Sequence, residues 1–128
     1  MHAAPQEILD LARDWVYAGG MRDVEFIKAH SHTEDPDAIH TIASGPGACL
    51  SLSSFLEHLG EVPPRSSSGS NASGFVHGDV AWVTDVIQSD MLHEGIIDIR
   101  CTVVLVRADG EWKVTHSHVS EGVKREVV

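Results

Sequence analysis

Two pairs of histidines, His30-Ser31-His32 and His116-Ser117-His118, are by type and spacing the residues of this sequence best suited to chemistry. In a β-strand residues i and i+2 point the same way, so His116 and His118 would present two imidazoles to one side of a strand. Imidazole changes charge near neutral pH, which suits general acid or base work. The same pair could supply two ligands of a catalytic zinc, with His40 or an acidic residue completing the set. Hydrogen-bonded pocket or core histidines are the plainer alternative. No further tightly spaced ligand pair appears, so neither a metal nor another cofactor is expected. Asp85 is the third candidate, because an ionised carboxylate inside the apolar run VAWVTDVIQ must find a partner or become protonated. Its alternative role is a salt bridge at a dimer interface. The sequence holds no GxSxG elbow, glycine-rich phosphate loop or HExxH helix, so serine nucleophilic catalysis is not expected.

The elements that must position these residues follow from periodicity. Pro5 suits the start of a helix, and Ile8, Leu11, Ala12 and Trp15 recur at helical spacing until Gly19-Gly20. A shorter helix is predicted over Met21 to His30, ended by the turn residues Glu34-Asp35-Pro36-Asp37. Ala38 to Ser44 reads as a short strand broken by Gly45-Pro46-Gly47. Leu52, Phe55, Leu56 and Leu59 then predict a third helix, with Ser54 and Glu57 at capping-box spacing and Gly60 as its stop. PPRSSSGSNASG, from Pro63 to Gly74, has the composition of a flexible loop, although it could end in a strand that hairpins at Gly78-Asp79. Ile96 to Arg107 and Trp112 to Ser120 read as strands joined by the hairpin signal Asp109-Gly110. Three helices followed by long antiparallel strands make an α+β domain with helices on one sheet face, occupying residues 1–128 as one unit.

Simple alternation puts Trp112, Val114, His116, His118 and Ser120 on the helix-facing side of the last strand. It gives Val80, Trp82, Thr84 and Val86 one face of their strand, and Ala81, Val83, Asp85 and Ile87 the other. Ile99, Cys101, Val103 and Leu105 form an apolar row. A strand apolar on both faces needs cover on both, so a homodimer is expected through an outward patch of Ala81, Val83, Ile87, Val104 and Val106. His116 and His118 are expected to line a cavity together with Trp82 and Trp112.

Composition narrows the function classes. Nine Lys and Arg against nineteen Asp and Glu give a formal charge of −10, which argues against nucleic acid and basic membrane-surface partners. No apolar run approaches the roughly 20 residues that a membrane helix requires. MHAAPQEILD lacks the features of a signal peptide, which points to the cytoplasm, and a reducing cytosol would keep Cys49 and Cys101 as small core residues.

HGDVAWVTDV and RADGEWKVTHSHVSEGV, preceded by WVYAGG, EDPDAIHTIASGPG and LSSFLEHLG, together resemble a nuclear transport factor 2-like domain of the SnoaL-like group. The most specific part is W-x-x-x-H-x-H-x-S, present as Trp112, His116, His118 and Ser120. The resemblance implies three N-terminal helices packed in a strongly curved, mostly antiparallel sheet, a cone with a pocket inside and a dimer through the sheet. It covers ketosteroid isomerases, limonene epoxide hydrolases, scytalone dehydratases, polyketide cyclases and noncatalytic association domains, so fold does not settle function. The ketosteroid isomerase activity is disfavoured, because the resemblance implies a carboxylate on the first strand and a tyrosine on the first helix, and AIHTIAS carries no carboxylate while Ala12 and Trp15 hold the inward helix positions. The expectation is a pocket for a hydrophobic or mixed small molecule, with acid/base lyase, isomerase or hydrolase chemistry on His116, His118 and Asp85. Trp15, His40, Thr41, Trp82, Thr84, Val103, Trp112 and Ser120 are the expected ligand-binding residues. The alternative is a noncatalytic ligand-binding or association module.

Overall fold

The computed structural model describes residues 1–44 and 47–122, so the expected break at Gly45 and Pro46 lies outside the described residues. A short strand, β1 (His2–Ala3), leads into α1 (Gln6–Gly20) and α2 (Val24–Ala29). β2 (Thr41–Ile42), β3 (Cys49–Leu50) and α3 (Leu52–Leu59) follow. Two short strands, β4 (Ser67–Ser68) and β5 (Ser73–His77), precede the long strands β6 (Val80–Asp90), β7 (Ile96–Ala108) and β8 (Glu111–Glu121). The strand order is β1-β5-β6-β7-β8-β2-β3, with β4 added to β6. Among the described pairings between these strands only the β2–β8 junction is parallel, and an isolated bridge of Ser31 to Val114 is parallel as well. The expected α+β class and curved, mostly antiparallel sheet are therefore present.

Local chemistry explains the boundaries. Pro5 caps α1, whose buried stripe of Ile8, Ala12, Trp15, Ala18 and Gly19 faces the sheet. The helix ends in a Schellman arrangement: Asp23 N–H donates to the Ala18 carbonyl and Arg22 N–H to that of Gly19. α3 is capped by Ser51, whose hydroxyl accepts from Ser54 N–H at 3.2 Å, so the cap lies one turn before the Ser54–Glu57 spacing. Both expected hairpins form. Asp109 and Gly110 have φ of +53° and +79°, the backbone a two-residue type I′ turn requires.

The core lies between the helices and the concave sheet face. Ile8, Ala12, Trp15, Ile27, Phe55 and Leu59 pack on Ala81, Val83, Val103, Leu105 and Val114. This inverts the expected facing of β6, where Ala81 and Val83 are buried and Trp82 stands on the outer face, its ring centroid 5.9 Å from that of Phe75. The concave face passes close under α1, where small and branched side chains interdigitate and a tryptophan would overpack. Ala81, Val83 and Ile87 are thus core residues and contribute nothing to an outward patch. Cys49 is exposed rather than a core residue, whereas Cys101 is buried.

A β-bulge corrects the expected facing of β8. Val114 lies opposite Leu105 but His116 lies opposite Val104, leaving Thr115 unpaired. One extra residue exchanges the two faces beyond it. Val114 is fully buried against the helices, and the next buried position is Ser117 instead of His116. No helix among the described residues is long and apolar enough to cross a membrane.

Candidate functional site

A cavity of about 490 Å³ opens between α1, α3 and the concave face. Trp15 and Phe55, stacked with ring centroids 5.7 Å apart, form its wall with Val16, Ile87, Ile99 and Val119. Trp15 is held by its indole N–H, which donates to Ser31 Oγ at 2.9 Å. The polar part of the lining includes Thr41, Ser117, Ser67, Ser89, Arg22, Arg65, His58, Glu94 and Glu121.

At the deep end a buried chain of hydrogen bonds joins β2 to β8. His40 Nε2 lies 3.1 Å from the Val114 carbonyl, His40 Nδ1 lies 3.2 Å from Thr41 Oγ1, and Thr41 Oγ1 lies 3.2 Å from Ser117 Oγ. A carbonyl only accepts, so Nε2 carries the proton. Burial lowers the His40 pKa below its ordinary 6.5, outweighing the Val114 hydrogen bond that raises it, and the nearby His116 lowers it further. The neutral ring therefore accepts the Thr41 hydroxyl proton at Nδ1, and Thr41 in turn accepts from Ser117. Both ring nitrogens are occupied in a residue only 1 % exposed, so His40 braces the cavity floor instead of reaching into it.

Of the sequence-predicted site residues, the cavity brings together Trp15 and Thr41, with His40 directly behind them. Val103 is core and lies behind the cavity wall. The expectation that His116 and His118 line the cavity is not met. His116 Nδ1 lies 3.3 Å from the Ile39 carbonyl, while His118 is exposed on the outer sheet face. There it shares a shallow depression with Thr84, Asp85, Arg100, Thr102 and Ser120. The Asp85 carboxylate accepts from Ser70 Oγ at 2.6 Å, Asn71 N–H at 2.7 Å and its own neighbour Val86 N–H at 2.8 Å, which ties down the serine-rich loop. Trp82 is on the outer face, and Trp112 stands apart from the cavity under the Arg107 guanidinium, 4.9 Å from the ring centroid. In the first histidine pair, His30 stacks on Phe26 and His32 pairs with Glu34. Among the described residues no group of three or more His, Cys, Asp or Glu is placed to hold a metal.

Sequence reasoning did not single out Phe55, Ser117, Val119, Arg22 or Arg65 as site residues. For Arg65 a signal existed, since it is the only charged residue in PPRSSSGSNASG. Arg22 gave none, because its role depends on the backbone turn at the end of α1.

Comparison with known proteins places this geometry. No curated protein matches the sequence. Among solved structures, an NTF2-like protein of unknown function from Pseudomonas putida KT2440 aligns over 94 % of this chain and 88 % of its own, with 21 % identity and a TM-score of 0.70. A proposed ketosteroid isomerase from Parabacteroides distasonis aligns over 92 % and 87 %, with 22 % identity and a TM-score of 0.66. The association domain of C. elegans CaMKII aligns over 90 % and 93 %, with 16 % identity and a TM-score of 0.64. At these identities the likeness is one of fold. The family model for the SnoaL-like domain matches residues 8–124, so the chain belongs to the SnoaL-like domain family within the NTF2-like fold.

Proposed function

We propose that this protein binds an amphipathic small molecule in the cavity beneath its helices. The observation that carries this reading is the cavity itself: about 490 Å³, walled by Trp15, Phe55, Ile87, Ile99 and Val119 and polar at intervals. That volume falls in the range of roughly 300–1,000 Å³ typical of ligand sites, and an apolar wall joined by polar groups that orient the ligand is a composition such sites use. Binding is favoured over acid/base catalysis because the two imidazoles with the most suitable spacing lie outside the cavity, the buried one has both nitrogens engaged, and the lining residues His58, Glu94 and Glu121 are exposed to solvent.

The outer sheet face supports a second property, self-association. Phe75, Val80 and Val86 are exposed there beside Trp82, Val104 and Val106, an apolar group that water solvates poorly. A second copy of the chain is the occupant proposed. The structurally similar CaMKII association domain lends the same reading its analogy.

Calorimetric titration with 1-naphthylacetamide, a neutral aromatic compound smaller than the cavity, tests the binding reading. Saturable one-to-one binding to the wild type that is lost in Val119→Trp, which fills the cavity, is the expected result. Equal binding to both proteins, or binding of neither this amide nor the corresponding acid to the wild type, would overturn it.

A further inference from the structure

We infer that the ligand is a carboxylate, its apolar body against Trp15 and Phe55 and its charge at the paired guanidinium groups of Arg22 and Arg65. This inference rests on the cavity being a ligand site and adds the charge of what enters it.

The chain carries nineteen carboxylates against nine Lys and Arg, so an arginine without an acidic partner is conspicuous. Among the described residues the ion pairs of arginine involve Arg13 and Arg107, and neither Arg22 nor Arg65 has a carboxylate within 4.0 Å. Both border the cavity. Arg22 uses two donors on backbone carbonyls, Nε to Pro63 at 3.0 Å and Nη1 to Gly19 at 3.1 Å. Arg65 is poorer in partners. Its Nη1 faces the thioether of Met91, a weak acceptor, and its Nε–H is closed off from solvent with no acceptor at all. Guanidinium does not escape such a position by losing its proton, so a half-buried fork whose Nε–H has no acceptor favours an anion beside it. An acceptor entering the cavity would draw the flexible side chain toward it.

Backbone geometry points the same way. Arg22 has φ of +62° and occupies the αL position of the Schellman turn, where glycine is the usual residue. Gly20 lies only two residues before it, yet the strained position holds arginine. Strain of this kind is characteristically kept where a side chain is needed. The segment bearing Arg65 is pressed against the same turn: Arg65 N–H donates to the Gly20 carbonyl at 2.7 Å, and a Cβ on Gly20 would come within 2.9 Å of the Arg65 carbonyl oxygen. The two cations are thereby held as neighbours. Burial and the adjacent Arg65 charge both hold the Arg22 pKa below the usual arginine value, as two like charges side by side require.

Glu94 and Glu121 also line the cavity, and both are exposed. With the formal charge of −10 they disfavour a phosphate or any polyanion, whereas a single carboxylate matches a bidentate guanidinium fork.

The test compares 1-naphthylacetate with its uncharged isostere 1-naphthylacetamide by calorimetry in the wild type, Arg22→Gly and Arg65→Gln. Arg22→Gly keeps the fold because glycine suits the αL position. The wild type is expected to bind the acid at least tenfold more tightly than the amide, and either substitution is expected to bring that ratio close to one. Equal binding of acid and amide by the wild type would overturn the charge assignment and leave the cavity reading standing. A ratio retained in both variants would overturn the assignment to these arginines. Failure of both compounds to bind would remove the cavity reading, and this inference with it.

Discussion

Thr41 Oγ1 and Ser117 Oγ lie 3.2 Å apart, both side chains buried, directly opposite one another across the parallel junction of β2 and β8. This pair closes the sheet beneath the cavity, and with His40 it converts buried polar atoms into a cross-link between a two-residue strand and the long β8. Because each member satisfies the next, removing one strands the others in a place water does not reach. Thr41→Val keeps the shape but takes away the central hydroxyl, leaving His40 Nδ1 without its donor. A loss of about 1–3 kcal/mol of stability is expected in urea unfolding.

The His40 ring links that same cross-link to pH. Its folded pKa is depressed, chiefly by burial, so the unfolded chain binds the proton more tightly. The stability the neutral ring contributes is present above the unfolded value of about 6.5 and is lost as pH falls through it toward the lower folded pKa. Stability measured at pH 7 and pH 5 should therefore drop in the wild type, and the part of that drop due to His40 should vanish in His40→Gln. An unchanged pH dependence in the variant would mean the ring is not the titrating group.

The two cysteines should differ sharply as nucleophiles. Burial, assisted by the negative charge of Asp85, pushes the Cys101 thiol up to about 12, while Cys49 is exposed. Thiolate is the reactive form, so Cys101 is silent near pH 8. Titration with a thiol reagent should give one fast equivalent in the folded protein and two in denaturant. Two fast equivalents without denaturant would contradict the burial of β7 in the sheet.

Self-association should depend on the outer face. Trp82 lies between Phe75 and Val104 in one row across β5, β6 and β7. A charge placed there by Trp82→Asp would have to be desolvated in a dimer. Sedimentation velocity at micromolar concentration should show a wild-type dimer and a Trp82→Asp monomer. A monomeric wild type would mean this face has no second copy on it.

How much of this was legible in the residues depends on how local the cause is. α1 was legible because Ile8, Ala12 and Trp15 share one face of a helix, and the hairpins at Gly78-Asp79 and Asp109-Gly110 because turn geometry selects those residue types. The facing of β6 was not. Trp82 is the larger apolar residue, but whether it or Ala81 enters the core is decided by how closely α1 approaches, a tertiary fact absent from the strand's own pattern. For β8 one unpaired residue, Thr115, reversed everything beyond it, so alternation counted from Trp112 assigned His116 and His118 to the wrong side. Trp15 and Thr41, which border the cavity, emerged from the sequence as expected ligand-binding residues. Arg22 and Arg65 did not, since their proximity comes from the packing of the post-α3 segment on the end of α1.

The most direct measurement of the central claim, that ligands enter beneath the helices and not at the histidine-bearing outer face, is the set of tryptophan indole resonances in proton–nitrogen correlation spectra. The sequence has three tryptophans, and they report three places: Trp15 in the cavity wall, Trp82 on the outer face, Trp112 under Arg107. On titration with 1-naphthylacetamide the Trp15 indole signal, set by its hydrogen bond to Ser31, should move while those of Trp82 and Trp112 stay in place. Movement of Trp82 with Trp15 unaffected would put the binding site on the outer face and contradict the account.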